Sequence, residues 1–564
     1  MGIKSTAVAT HADRTPQTAQ IRASVIELIA VAFLLFAAIV GFQKTGGAFS
    51  TEFLDDEASH YISGLMVYTY LTTEIPRSPL TYLKNFHSYY PLVGIGHWGP
   101  FYYLIEAVWM LVVSTSRSAM LLLSATVTMA TGLCCYAFVV HRLGRLAAIF
   151  VAFAVVLSPI VQRASGEVML DMPVAFFCVA AMMAYGRFLD TGYARYSALF
   201  GLLATAALLI KGNAACLALL PPFAVLIGRR FDLLRIRSFW LPVPIVGLIA
   251  GPWYIGTYSL VSQGFRYRWG FDYIVTATLA NSRFLLDAVG PLVLVCGIIG
   301  LVASVARPKA CDKEDSWLVS AAALFAAVWT FQSVVPAAIQ DRYLAPDLPP
   351  LLILAVWGAR IAVLWGINHI LRGRPLSRHS DAANGVGLFL LAVSFVPGTL
   401  NIASEPQRDF TKAAQVIWEN YAASNPSVLV GTDATGEGSA IADLAMIDPH
   451  RPSLFAVRGS RLLGGGGYNN QDYMPRFQTA EQVMAAIDDY AIPFVLLSGR
   501  SGPKEWAHLR QLDEARVLYP DRWELIYHDA SVSPEVLLFR IRGNPGKKAD
   551  IARLLKLSAP HSLE

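Results

Sequence analysis

Apolar runs as long as a lipid bilayer is thick dominate this sequence. Eight of them, near residues 24–42, 119–140, 172–189, 239–260, 288–305, 317–338, 347–366 and 386–403, are long enough to cross. A helix rising 1.5 Å per residue needs roughly 17–25 residues to do so. Four shorter runs lie at 99–115, 146–162, 196–210 and 213–227. Within lipid every backbone N–H and C=O must be satisfied internally, so runs of this kind fold as helices. Of the 564 residues 55% are apolar and only 15% charged, which excludes an ordinary soluble enzyme. The formal charge of +5, from 45 basic and 40 acidic residues, is too small an excess for a nucleic-acid binder.

The basic residues instead orient the chain. Short connections carry Arg142 and Arg145; Arg229, Arg230, Arg235 and Arg237; Arg307, Lys309 and Lys313; and Arg372, Arg374 and Arg378. The positive-inside rule places them all in the cytoplasm. The alternate connections, 162–171, 211–212, 261–287, 339–346 and everything from about 404, are then external. Lys4, Arg14 and Arg22 precede the first run, which lacks a small-residue cleavage site and reads as a retained anchor helix with a cytoplasmic N-terminus. Twelve runs conflict with this pattern, which demands an odd number of crossings. Either 99–115 enters without crossing, giving eleven spans, or a further span hides in 61–93, giving thirteen. The expected fold class is therefore an α-helical polytopic membrane protein of 11–13 spans in the plasma (inner) membrane. It divides into a cytoplasmic segment 1–22, a membrane domain 23–403 with a first external loop 43–98, and an extracytoplasmic domain 404–564.

In that last region charged residues become frequent. Apolar stretches 427–430, 493–497 and 536–541 alternate with helix-like segments 410–423 and 480–490, the pattern of a small α/β domain. Residues 427–444 read as strand, turn and helix, and Gly464–Gly467 with Tyr468, Asn469 and Asn470 as a loop that matches no phosphate or dinucleotide fingerprint. Cys134, Cys135, Cys178, Cys216 and Cys296 fall in apolar runs and Cys311 in a cytoplasmic connection, so the sequence offers neither a disulfide framework nor a Cys-based zinc site.

Four places carry charge or punctuation that a lipid-embedded chain avoids without a reason. Asp55, Asp56 and Glu57, ahead of Ser59, His60 and Tyr61, are adjacent acids just outside the first helix. Their repulsion suits a general base, and a solvated acidic cap on a helix N-terminus is the bland alternative. His97-Trp98-Gly99-Pro100-Phe101-Tyr102-Tyr103 is a Gly/Pro-punctuated approach to an apolar run. An interfacial aromatic belt explains its rings but not His97. Asp171 and Pro173 suit the cap and first turn of a helix. Lys211-Gly212 interrupts an apolar stretch, and Asp341-Arg342-Tyr343-Leu344-Ala345-Pro346 precedes Pro349-Pro350. Basic residues on the outer side run against the positive-inside bias, so their reason is a negative group, and arginine's forked donors suit phosphate. Arg266, Arg268 and Arg283 are possible helpers, or merely snorkelling cations. Carboxylates and cations on one face fit the transfer of a group from a lipid phosphate to a hydroxyl. The cations meet the leaving charge, a carboxylate activates the acceptor, and direct attack inverts the anomeric centre.

Taken in order, Asp56-Glu57-Ala58 with Tyr61, His97 to Tyr103, Leu170-Asp171-Met172-Pro173, Ile210-Lys211-Gly212 and Arg342-Tyr343 with Pro346 and Pro349 resemble the motifs of the glycosyltransferase C superfamily. The nearest branch holds the protein O-mannosyltransferases and bacterial lipid A aminoarabinose transferases. The resemblance covers roughly residues 20–400 and leaves the tail outside. It implies a polyprenyl-phosphate-sugar donor, with Asp56 as base, Glu57 beside it, Asp171 shaping the pocket, and Lys211, Arg342, Tyr343 and His97 toward the donor. Lipid, glycan or protein hydroxyls are the implied acceptors, membrane lipids the surroundings, and no cofactor, metal or nucleic acid is expected. Two departures stand out. Where the family places a His or Lys directly before Pro-Pro, His97 is followed by Trp98, Gly99 and Pro100, and Asp55 duplicates the acid one residue early. The rival from another class is a transporter or flippase of a lipid-linked sugar, but such proteins often show two-fold repeats, and none is visible. A receptor or scaffold acting through its tail would leave Lys211 and the acidic loop unexplained.

Overall fold

The computed structural model describes residues 17–50, 52–54, 56–265, 267–306, 315–370, 380–400, 408–421, 427–465, 473–499 and 506–543. Asp55, Arg266, Cys311, most of the glycine-rich loop and the basic clusters at 307–313 and 372–378 lie outside the described residues.

Each of the twelve apolar runs falls on helix. Among the described residues five helices can cross a membrane by length and composition, Arg117–Leu143, Asp171–Thr191 and Ser316–Val334 included, or seven if each of two bent pairs is one span. Five shorter apolar helices accompany them. The helix Gln17–Thr45 turns Ile26, Ile29 and Phe33 outward, each more than 60% exposed, as a lipid-facing surface requires. Inside the bundle the contacts are made by small residues. A Cβ at Gly358 would stand 1.9 Å from the Cys296 carbonyl oxygen, and one at Gly300 2.1 Å from that of Leu354, so helices Pro291–Val305 and Leu348–Ile370 meet backbone to backbone.

Two parts of the membrane domain bear on the open alternatives for its connections. Residues 61–93 hold no further span. They form helix Glu57–Thr69 (13 residues), a π turn Tyr70–Glu74 and helix Pro79–Tyr89 (11 residues), each too short to cross. Helix Phe101–Val112, at 12 residues, is about 18 Å long. The second part is 261–287, taken as an external connection. It contains the helix Phe271–Val289, bent 114° from Pro291–Val305 where Gly290 and Pro291 break the ladder. Arg283 lies on its exposed side with Asp287 at 3.7 Å, and Arg268 is also exposed, so neither helps at the site below.

The C-terminal part is a small α/β domain. Strands β1 Ser427–Thr432, β2 Phe455–Arg458, β3 Gly464–Gly465, β4 Met474–Pro475, β5 Phe494–Ser498, β6 Trp523–Asp529 and β7 Val536–Ile541 form two sheets. The larger has the order β2-β1-β5-β7-β6, and β3 and β4 pair alone. β1 pairs in parallel with β2 and β5, while β7 runs antiparallel to β5 and β6. Every residue of β1 is buried, as a central parallel strand demands. Helix Ala434–Ile447 leaves β1 and packs against Glu57–Thr69, so Val428, Val430 and Ala440 share one continuous core with Tyr61 and Leu65 of the first loop.

Candidate active site

Local geometry explains how the acidic loop is presented. Asp56 holds the N-cap position of helix Glu57–Thr69 (φ −82°, ψ −3°), yet its side chain makes no capping hydrogen bond. The carboxylate turns away and accepts from Arg342 Nη2 at 3.2 Å, while keeping 40% side-chain exposure. An incoming hydroxyl therefore has access to it.

Arg342 belongs to the 3₁₀ turn Asp341–Asp347, held short of α geometry by Pro346. Its backbone N–H donates to Asp341 Oδ1 at 2.8 Å and its Nε to Gln340 Oε1 at 2.8 Å, which aims the guanidinium. Nε also lies 4.0 Å from Asp171 Oδ2, an oxygen with no hydrogen-bond partner. Asp171 opens helix Asp171–Thr191, as expected, but instead of capping it the carboxylate accepts from Lys211 Nζ at 2.7 Å. Lys211 sits in extended conformation (φ −150°, ψ 136°) in the break between helix Ala194–Leu208 and the 3₁₀ segment Gly212–Leu219. The Tyr343 ring covers its ammonium at 4.4 Å.

Gly99 explains why that break is held so tightly. A Cβ there would fall 1.9 Å from the Leu209 carbonyl oxygen, and the same oxygen accepts from the Phe101 N–H at 3.1 Å. The His97–Pro100 turn is thus docked on the residues just before Lys211. It delivers Trp98, whose ring packs between His60 (4.4 Å) and His97 (4.8 Å). His97 Nδ1 pairs with the Leu260 carbonyl at 3.1 Å.

These residues converge on a cavity of about 70 Å³ lined by Asp56, His97, Trp98, Lys211, Gly264, Ala337, Ala338, Gln340, Arg342 and Tyr343. Five of the seven residues singled out from sequence line it, and Asp171 lies directly behind Lys211. Glu57 does not belong there. It is fully buried and faces the opposite way, accepting from Arg117 Nε at 2.9 Å and Nη2 at 3.1 Å and from the Leu54 N–H at 2.9 Å. Its position is that of a residue shaping the turn before Asp56 rather than one touching substrate. Sequence reasoning gave no role to Gln340 or His60. Only the position of Gln340 two residues before Arg342 hinted at it. His60 pairs with the Tyr103 hydroxyl at 3.0 Å, and burial, followed by the charges of Lys211, Arg342 and His97, pushes its imidazole well below the ordinary range. It is neutral at pH 7.

No group of three or more His, Cys, Asp or Glu side chains comes together among the described residues. A wider depression of about 770 Å³ in the tail lies open between helices Ala480–Asp489 and Ala507–Leu518. Of its charged side chains Arg510 pairs with Glu514 at 3.6 Å and Arg516 with Asp513 at 3.1 Å, along one helix.

No family model matches the sequence, and no curated protein does. Solved structures do share the fold. ArnT from Cupriavidus metallidurans bound to undecaprenyl phosphate superposes with a TM-score of 0.54 at 14% identity, over 93% of this chain and 99% of that one. The apo state of the same protein gives 0.54 at 14% identity, over 96% and 100%. The archaeal oligosaccharyltransferase AglB from Archaeoglobus fulgidus, in complex with an inhibitory peptide and a dolichol-phosphate, gives 0.52 at 13% identity, over 89% and 80%. The chain shares the fold of these structures, a polytopic helical membrane domain followed by a small α/β domain.

Proposed function

We propose that the protein is a glycosyltransferase that moves a sugar from a polyprenyl phosphate to a hydroxyl of a lipid, glycan or protein at the outer face of the plasma (inner) membrane, with its N-terminus in the cytoplasm. The observation that carries this reading is the cavity shared by a solvent-reachable carboxylate, Asp56, and two cations, the buried Lys211 and the partly buried Arg342. The bound undecaprenyl phosphate of ArnT and dolichol-phosphate of AglB support a donor of that class.

In this mechanism Asp56 takes the proton of the acceptor hydroxyl as its oxygen attacks the anomeric carbon. The bond from that carbon to the phosphate oxygen breaks, the electron pair leaves with polyprenyl phosphate, and Lys211 and Arg342 hold the charge. Displacement in one step inverts the anomeric centre. Without donor, Arg342 is shared between Asp56 and the edge of Asp171. A donor phosphate competes for that guanidinium and so frees the Asp56 carboxylate to meet the acceptor hydroxyl. Neutral His60 supports the Trp98 wall without adding charge.

The test incubates purified protein with radiolabelled undecaprenyl-phosphate-linked sugars and membrane lipids and follows the label into acceptors. Transfer that falls by about 10²- to 10⁴-fold in Asp56→Asn is expected. Transfer unchanged by this substitution overturns the base assignment, and label crossing the bilayer while still attached to its lipid favours a transporter.

A further inference from the structure

The tail lies outside every motif, yet it grips the loop that carries Asp56. Arg408 is 1% exposed and bridges two segments far apart in sequence. Its Nε donates to Glu52 Oε1 at 2.8 Å and its Nη2 lies 2.7 Å from Glu52 Oε2. Nη1 and Nη2 also donate to Asp433 Oδ2 and Oδ1 at 3.1 and 2.9 Å. Asp433 in turn caps helix Ala434–Ile447 by accepting from the Gly436 N–H at 2.8 Å. Glu52 is buried four residues before Asp56. The next residue, Phe53, donates its N–H to Ser439 Oγ of the same tail helix at 3.1 Å. That helix lies so close to Glu57–Thr69 that a Cβ on Gly438 would be 3.2 Å from that of Ala58. Beyond the helix, the Tyr90 hydroxyl donates to Asp448 Oδ2 at 2.5 Å.

Residues 52–54 form neither helix nor strand, so their shape is imposed by side chains around them. Two of those fastenings, at Glu52 and Phe53, come from the tail, and the third, at Leu54, from Glu57. Ions removed from water are tolerated where close, paired contacts hold them, and Arg408 meets both Glu52 and Asp433 in this way. We propose that Arg408 is a positioning residue for the reaction. Through Glu52 it lets the tail domain fix the backbone from which Asp56 reaches the cavity. The inference rests on Asp56 being the base. Arg408 does not line the cavity, so its loss acts on turnover and leaves donor binding intact.

The experiment uses the full-length protein and three readouts: hydrogen exchange of the amides at 53–60, affinity for undecaprenyl phosphate alone, and sugar-transfer kcat. Arg408→Gln should speed exchange in that segment and lower kcat by about 10- to 100-fold while affinity stays within about twofold, because a small displacement of a reacting group is costly. Arg408→Lys, which keeps the charge beside Glu52, should recover part of kcat. If Arg408→Gln fails to fold, Ser439→Ala, which disturbs no buried charge, should still speed exchange at Phe53 and lower kcat severalfold. Unchanged exchange in the variants, or affinity and kcat falling in parallel, would overturn the proposal. Faster exchange in a protein whose wild type transfers no sugar from any donor would leave the brace standing and sink the reading of Asp56.

Discussion

Asp56 and Glu57 are neighbours in sequence and belong to opposite kinds of ion pair. Glu57 is fully buried and its carboxylate is saturated by two contacts from Arg117 and one from the Leu54 N–H. Asp56 has one contact to Arg342, at 3.2 Å, and 40% exposure. The same contrast extends outward. Around Glu57 and Glu52 the cations Arg117 and Arg408 each approach both oxygens of a carboxylate within 3.1 Å. Around Asp56, by contrast, Arg342 is divided between two acids, Asp56 at 3.2 Å and Asp171 at 4.0 Å. A saturated pair has nothing left with which to bind a ligand and serves structure, whereas an unsaturated one keeps capacity for a phosphate. Net charge alone would not separate the two clusters.

The saturated side should break hardest. Arg117→Met leaves Glu57 buried without its partner, and an uncompensated buried charge costs about 3–5 kcal/mol. Expression and thermal melting should both fall. A variant melting like wild type would mean that Glu57 can rotate to water, and the contrast would dissolve. Arg342→Gln tests the other side. Asp56 remains hydrated when its partner goes, so melting should stay unchanged while kcat/KM drops by about 10²- to 10³-fold, the loss typical of one removed electrostatic donor. A fall in melting comparable to that of Arg117→Met would place Arg342 among the structural cations.

Gly99→Ala probes how the open cluster is kept in place. The new Cβ would meet the Leu209 carbonyl oxygen, so the turn or the break before Lys211 must shift, at about 1–3 kcal/mol. Donor KM should rise more than kcat falls, because Lys211 is displaced and Asp56 is not. A kcat effect with unchanged donor KM would detach this turn from the phosphate site.

Most of the architecture was legible in sequence because lipid demands long apolar helices, and a chain must spell them out. Lys211 and Arg342 stood out for the same reason, since a charge in an apolar stretch needs a partner. Strands β1, β5 and β7 showed as short apolar runs. β6 did not, because Trp523–Asp529 is a mixed edge strand whose register shifts between Leu525 and Tyr527, which destroys the alternation. The separation of Asp56 from Glu57 was equally invisible. Both are acids in one motif, and only the helix start, which points consecutive side chains about 100° apart, sends one to the cavity and the other to Arg117. The Arg408 bridge joins positions 52, 408 and 433, and no local pattern predicts a contact across that separation.

Asp443 sharpens the comparison from within the junction with the tail, where no salt bridge reaches it among the described residues. It is 5% exposed on the tail helix that faces the first loop. Burial, with the charge of Asp409 added, pushes its carboxyl up to about 8, although Arg117, the Thr411 side chain and the Phe410 backbone act in the opposite direction. The unfolded chain releases this proton near pH 3.9. Between about pH 4 and 8 the folded state therefore holds more protons than the unfolded one, and stability falls as pH rises through that window. The slope is at most about 1.4 kcal/mol per pH unit, and it flattens above the folded value. Thermal melting of the wild type should decline from pH 5 to pH 8 more steeply than that of Asp443→Asn, whose amide cannot titrate. Parallel curves for the two proteins would show that Asp443 reaches a cation or water in the folded state, and the junction with the tail would then be as open as the cavity.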